Sequence, residues 1–192
     1  FRNNDRPGVM QAGAMRAYLN RWGVVPGRRV AVFGNTDSAR QTAMDLQAAG
    51  VHVAAMIDSR QHVRAVEGIR NYQGAMVTKA HGRLGLEAIT VQTETGERER
   101  IAVDCLAVSG GWNPSVHLTC HMNGRPDWSE EIASFVPKPG MIPGLIAAGA
   151  CNGTMSTAGC LAAGLRAAEE ALGMTAQVAV PEAEDDPYRI VP

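Results

Sequence analysis

The chain has 192 residues, enough for one domain with a real core or for a domain plus pieces of a neighbour. Hydrophobic residues make up 45% and charged residues 19%, a globular balance that excludes disorder throughout the chain. The formal net charge of -1 excludes the basic footprint of a nucleic-acid binder and gives no reason to expect an anionic membrane as partner.

In chain order, Pro7-Gly8 precedes Val9, Met10, Ala12, Ala14, Met15, Ala17, Tyr18 and Leu19, a spacing that predicts a helix ending near Gly23. After the Pro26-Gly27 turn, residues 28–34 read as a buried strand, and Asn35-Thr36-Asp37 as the turn behind it. Residues 38–49 read as a helix closed by Gly50, and 51–57 as a second strand ending at Asp58. This is the strand–turn–helix–strand form of a βαβ unit. A second helix is expected over 59–71 and a third strand over 75–78. Residues 86–93 and 98–103 alternate in polarity around Thr95-Gly96, which predicts an antiparallel hairpin or meander. Residues 104–109 form an apolar strand that ends in Gly110-Gly111.

Beyond Trp112-Asn113-Pro114 the texture changes, and Pro137, Pro139 and Pro143 punctuate a loop-rich stretch. Residues 144–149 read as a short apolar strand into a glycine turn, followed by an Ala-rich helix, Thr157–Leu172, ended by Gly173. The acidic, proline-bounded tail reads as an exposed linker. No apolar run approaches the ~18 residues of a membrane span. Phe1 opens a segment without a signal-peptide apolar region and without an initiator Met, which reads as a fragment or a processed piece. Cys105 lies in an apolar run and reads as a core residue. Cys151 and Cys160 flank a Gly/Ser/Thr turn and read as buried free thiols of a reducing, cytoplasmic compartment.

The order βαβαβ, meander, returning strand is that of a Rossmann-like nucleotide-binding domain, whose fingerprint is G-x-G-x-x-G/A after the first strand. The aligned string is Gly34-Asn35-Thr36-Asp37-Ser38-Ala39. Gly34 supplies the tight turn and Ala39 suits close helix–strand packing, but Thr36 replaces the glycine that lets a pyrophosphate approach the backbone. Asp37 reads either as an N-cap or as part of a phosphate loop; as a cap, its carboxylate satisfies the helix donors and repels a second anion. Asp58 stands where an acidic side chain accepts an adenine ribose, favouring NAD, whereas Arg60 and Arg64 suit a 2′-phosphate. Ser109 and Gly110 end the return strand, where a glycine lets a cofactor or another backbone come close. His117 and His121 lack a third ligand, so no metal site is expected, and no carboxylate pair or Ser/His/Asp set marks a catalytic residue.

Three stretches carry a more specific likeness: Asn4 through Ala14 with Ala17-Tyr18-Leu19-Asn20-Arg21; Val108-Ser109-Gly110-Gly111-Trp112-Asn113-Pro114; and Ala148-Gly149-Ala150-Cys151-Asn152-Gly153 with Cys160-Leu161. Over residues 4–173 the chain resembles the central region of the alpha subunit of heterotetrameric sarcosine oxidases. The resemblance implies an α/β chain with a Rossmann-like NAD-type domain over 26–113, a flanking helix over 1–25 and a return segment over 114–174 from a second FAD/NAD-type domain, and a linker over 175–192. It implies part of a cytoplasmic oxidoreductase that demethylates sarcosine to glycine with release of hydrogen peroxide. That enzyme uses FAD, FMN and NAD, and its other subunits are the expected partners. Gly149, Asn152 and Gly153 would contact the cofactor, although Ala150 stands where related reductases carry an Asp. The chain alone is expected to be inactive and to hold NAD weakly or not at all. Two other readings stay open: a functional NAD-binding domain of another flavin-dependent reductase or amine dehydrogenase, and a subunit-interaction module prone to self-association through exposed helix faces.

Overall fold

The computed structural model describes residues 1–176 and 179, so most of the tail over 175–192 lies outside the described residues. The chain divides into two compact units, Phe1–Gly110 and Gly111–Pro192.

The first unit is built on a parallel sheet. β1 (Val9–Gln11), β2 (Arg29–Gly34), β3 (His52–Asp58), β4 (Asn71–Gln73) and β8 (Cys105–Ser109) lie in the order β1-β8-β2-β3-β4, every neighbouring pair parallel. A second, antiparallel sheet consists of β5 (Met76–His81), β6 (Ala88–Gln92) and β7 (Arg98–Ala102). The alternation along β2 explains the layering, because successive side chains leave a strand on opposite faces. Val30 and Val32 pack with Met15 of α1 (Ala12–Trp22) and with Ala39, Ala43 and Leu46 of α2 (Asp37–Ala48). Ala31 points the other way and joins Ile57 and Leu106 against Val77, Ile89, Val91 and Ile101 of the antiparallel sheet. Helices, parallel sheet and antiparallel sheet thus form three layers with a core on each side of the parallel sheet.

The β-strands expected between residues 28 and 109, the helix after Gly34 and the meander are present, which makes the fold the anticipated α/β, Rossmann-like one. Two local expectations are corrected. Val9 and Met10 are not the start of a helix but lie in β1, because Gly8 at φ 102° turns the chain and its carbonyl accepts the Leu106 amide at 2.8 Å. Residues 59–71 are not a helix: His62 and Gly68 hold φ values of 57° and 74°, outside right-handed helical space. Asn71 fastens that loop instead, its side chain bonding the Val66 amide at 2.9 Å and the Val66 and Ile69 carbonyls at 2.8 and 2.6 Å. Within this unit Arg16 of α1 pairs with Asp45 of α2 at 2.8 Å.

β4 is tied to β7 by a polar cluster. The Tyr72 hydroxyl donates to Glu99 at 2.8 Å, and Arg70 grips the same carboxylate at 2.7 and 2.8 Å while lying 4.9 Å from the Tyr72 ring centre. Burial first, and then the Glu99 carboxylate, push the Tyr72 phenol up to about 12. Its folded value is above the ordinary one, so its contribution to stability is whole below pH 10 and is lost as the pH rises towards 12. In an absorbance titration Tyr72 is expected to ionise late, and Tyr72→Phe to remove that step near pH 12; a Tyr72 that ionises near 10 contradicts the cluster.

The second unit holds a hairpin of β9 (Asp127–Ser129) and β10 (Ser134–Val136), and α3 (Thr157–Leu172), which ends at Gly173 as expected. Ser156 caps α3 by accepting the Gly159 amide at 3.2 Å. Residues 144–149 form no strand, since they find no ladder partner among the described residues. The cysteines are free: Cys105 is buried as expected, whereas Cys151 and Cys160 are only half-buried. Among the described residues no helix is long and apolar enough to cross a membrane, and no group of three or more His, Cys, Asp or Glu side chains is placed to hold a metal ion.

Candidate functional site

Three strand ends meet at the carboxyl edge of the parallel sheet. The ladder sets Asp58 beside Gly34 on one side and Ser109 beside it on the other. Ligands of open α/β sheets bind outside this edge, where a helix N-terminus presents free N–H groups. The topology therefore brings together Gly34, Asn35, Thr36, Asp58, Ser109 and Gly110. The Asn35 side-chain Nδ2 donates to the Gly110 carbonyl at 3.2 Å, and the Ser59 backbone amide donates to the Gly34 carbonyl at 3.1 Å.

The turn between β2 and α2 is filled from inside. Thr36 has 0% of its surface exposed. Its hydroxyl lies 2.8 Å from that of Ser38, which lies 3.3 Å from that of Ser109. The Thr42 hydroxyl donates to the Ser38 carbonyl at 3.0 Å. A residue with no exposed surface offers a ligand neither its side chain nor its amide, so the close approach that a glycine permits is shut.

Asp37 is not the cap of α2 but its first residue; Thr36 occupies the cap position without a side-chain cap bond. The Asp37 carboxylate is instead taken by the Arg60 guanidinium at 2.8 Å, a bond in which both partners are charged. Arg60 reaches Asp58 as well. One Asp58 carboxylate oxygen accepts the Arg60 backbone amide at 2.9 Å and Nε at 3.1 Å, and the other accepts Nη2 at 2.9 Å. The side chains of Asp58 and Arg60 are only 4% and 9% exposed. Burial pulls the guanidinium's pKa down, but the hydrogen bonds it donates to Asp58 and Asp37, with the attraction of their charges, outweigh it and hold Arg60 above its usual range. The acceptor expected for a ribose thus already has both oxygens occupied, and Arg64 stands exposed.

Sequence reasoning missed two members of this site, Ser38 and the bridging role of Arg60. The second had a signal. Asp58-Ser59-Arg60 puts an Asp two residues before an amide it can accept, the spacing of an Asx-turn, with a guanidinium on the same residue.

In the second unit, Gly149 begins a single 3-10 turn, Gly149–Asn152, and Gly153 closes it, with φ values of 70° and 84°. A Cβ on Gly153 would stand 2.9 Å from Ile132 Cδ1, the movable end of a side chain, so the positive φ rather than space is what favours glycine there. Asn152 lines a cavity of about 230 Å³ together with Lys138, Met141, Ile146, Arg166 and Glu170. Gly149, Asn152 and Gly153 therefore cluster in their own unit.

No protein-family model matches the chain. It is 46% identical over 176 residues to the sarcosine oxidase alpha subunit of Rhizobium meliloti, covering 88% of this chain and 17% of that protein. It is 36% identical to the sarcosine oxidase alpha subunit of Corynebacterium sp. (strain U-96), covering 100% of this chain and 22% of that protein. The chain thus spans about a fifth of the length of the curated relatives it matches. Among solved structures, L-proline dehydrogenase from P. horikoshii superposes with a TM-score of 0.64 at 20% identity, over 92% of this chain and 33% of that one, a likeness of fold.

Proposed function

The chain is a relative, over nearly its whole length, of a segment of sarcosine oxidase alpha subunits, and from that premise we propose that it is the nucleotide-domain segment of such a subunit, serving as a scaffold without chemistry of its own. The observation that supports this reading is the wholly inaccessible Thr36 at the point where a dinucleotide's phosphates need a bare backbone. Asp58, occupied by Arg60, supports it from the ribose side. NAD does not fit this edge as it stands. Oxidation of sarcosine to glycine with release of hydrogen peroxide, and the FAD, FMN and NAD it uses, belong in this reading to other parts of a cytoplasmic hetero-oligomer. Gly149, Asn152 and Gly153 are proposed to complete a cofactor contact only within that larger protein.

Calorimetric titration of NAD into the full chain tests the reading. No saturable heat is expected at micromolar nucleotide. A micromolar Kd, equivalent to roughly -8 kcal/mol, would be incompatible with a disabled edge.

A further inference from the structure

We infer that Arg60 is a latch on the ribose position: it keeps the Asp58 carboxylate from accepting an adenosine diol, and its removal restores that recognition. The inference rests on reading the sheet edge as a nucleotide site. It deepens that reading by assigning the ribose end of the site to one side chain, separately from the filled turn at Thr36.

A ribose is held at such an edge by a carboxylate that accepts from its hydroxyls. Asp58 stands at the right place, level with Gly34 in the ladder. Its carboxylate carries three hydrogen bonds from Arg60, through the backbone amide, Nε and Nη2. A ribose would have to displace the last two, in which both partners carry a charge, with a neutral hydroxyl. Arg60 is also anchored on its far side, where Nη2 donates to Asp37 at 2.8 Å on the first turn of α2. One planar guanidinium therefore spans the gap between the end of β3 and the start of α2, and covers Asp58 so that only 4% of its side chain meets solvent. The backbone amide bond does not block: it orients the carboxylate and would survive the loss of the guanidinium.

Adenosine is the probe, because without phosphates it does not engage the turn at Thr36. Binding to the full chain is followed by NMR line-shape titration for the unmodified protein, Arg60→Gln and Arg60→Lys. Arg60→Gln is expected to bind adenosine at least tenfold more tightly than the unmodified chain, with no gain for 2′-deoxyadenosine. Arg60→Lys loses the planar fork and the Nε bond to Asp58 but keeps Asp58 paired with a cation, and so secures a folded variant; its expected gain is smaller but measurable. Asp58→Asn added to either variant abolishes the gain. If folded variants bind adenosine no better than the unmodified chain, the latch is wrong. It is equally wrong if the unmodified chain prefers 2′-AMP to 5′-AMP, since Arg60 would then be a phosphate receptor. Tight NAD binding by the unmodified chain is a separate measurement and overturns the scaffold reading, so the two failures are distinguishable.

Discussion

Gly34→Ala is expected to destabilise the first unit by about 3 kcal/mol, near the upper end for an overpacked site. The new Cβ would stand 2.3 Å from Cβ of Ala39 and 3.1 Å from the Ser109 carbonyl oxygen. Neither neighbour is the far end of a flexible side chain. Ala39 sits on α2 and Ser109 ends β8, so relief requires the helix to lift from the sheet or two adjacent strands to part. Lifting α2 would also loosen Ala43 and Leu46, which are wholly buried against Val30 and Val32. For a unit of this size the loss corresponds to a fall in Tm on the order of 10 °C, measurable by calorimetry. Gly110→Ala serves as the control: its Cβ meets nothing within 4 Å and its φ is not in the left-handed region. If the two substitutions melt alike, the close approach of strand and helix at Gly34 is not the constraint described here.

Leu106→Ala is expected to cost about 4 kcal/mol, within the range for a buried leucine that leaves a cavity. Leu106 has 0% exposure and lies on β8, flanked on both sides by paired strands. In the register its neighbours are Val9 and Ala31, and across the layer it shares a core with Ile89, Val91, Ile101 and Val103. An alanine cannot reach into the vacated space, and β-branched side chains have little χ1 freedom with which to do so. The cavity therefore stays open. Urea unfolding followed by circular dichroism should show a lower midpoint with an unchanged slope, the mark of lost stability rather than of an altered unfolded state. A loss below ~1 kcal/mol would mean that the two sheets do not pack at Leu106 as described.

Much of this arrangement was legible in the chain because local and long-range signals agree there. The strand into Gly34 is apolar and bounded by turn residues, the helix after it closes at Gly50, and the meander alternates cleanly around Thr95-Gly96. α3 was readable to the residue as Thr157–Leu172, closed by Gly173. Signals failed where tertiary contacts override a local pattern. Val9 and Met10 fit a helical period, yet β8, nearly a hundred positions later, recruits them into a sheet. Residues 59–71 read as a second helix, but one side chain, Asn71, gathers three backbone bonds and fixes a loop. At the edge itself, the replacement of a glycine by Thr36 was plain in the fingerprint. What it leads to was not, because the hydroxyl run that starts at Thr36 joins Ser38 to Ser109, 71 positions apart. The hold of Arg60 on two carboxylates likewise depends on how β3 and α2 are set side by side.

The strand order β1-β8-β2 has a consequence for how the unit comes into being. The first two parallel strands to leave a ribosome are not neighbours; the slot between them waits for residues 105–109. Until that last piece is made, the nascent chain carries a sheet with a missing slat, its backbone donors on both sides of the slot turned to water. Closure is thus postponed to the end of synthesis of the unit, and the contacts that complete it are among the most distant in the chain, the kind that form slowly.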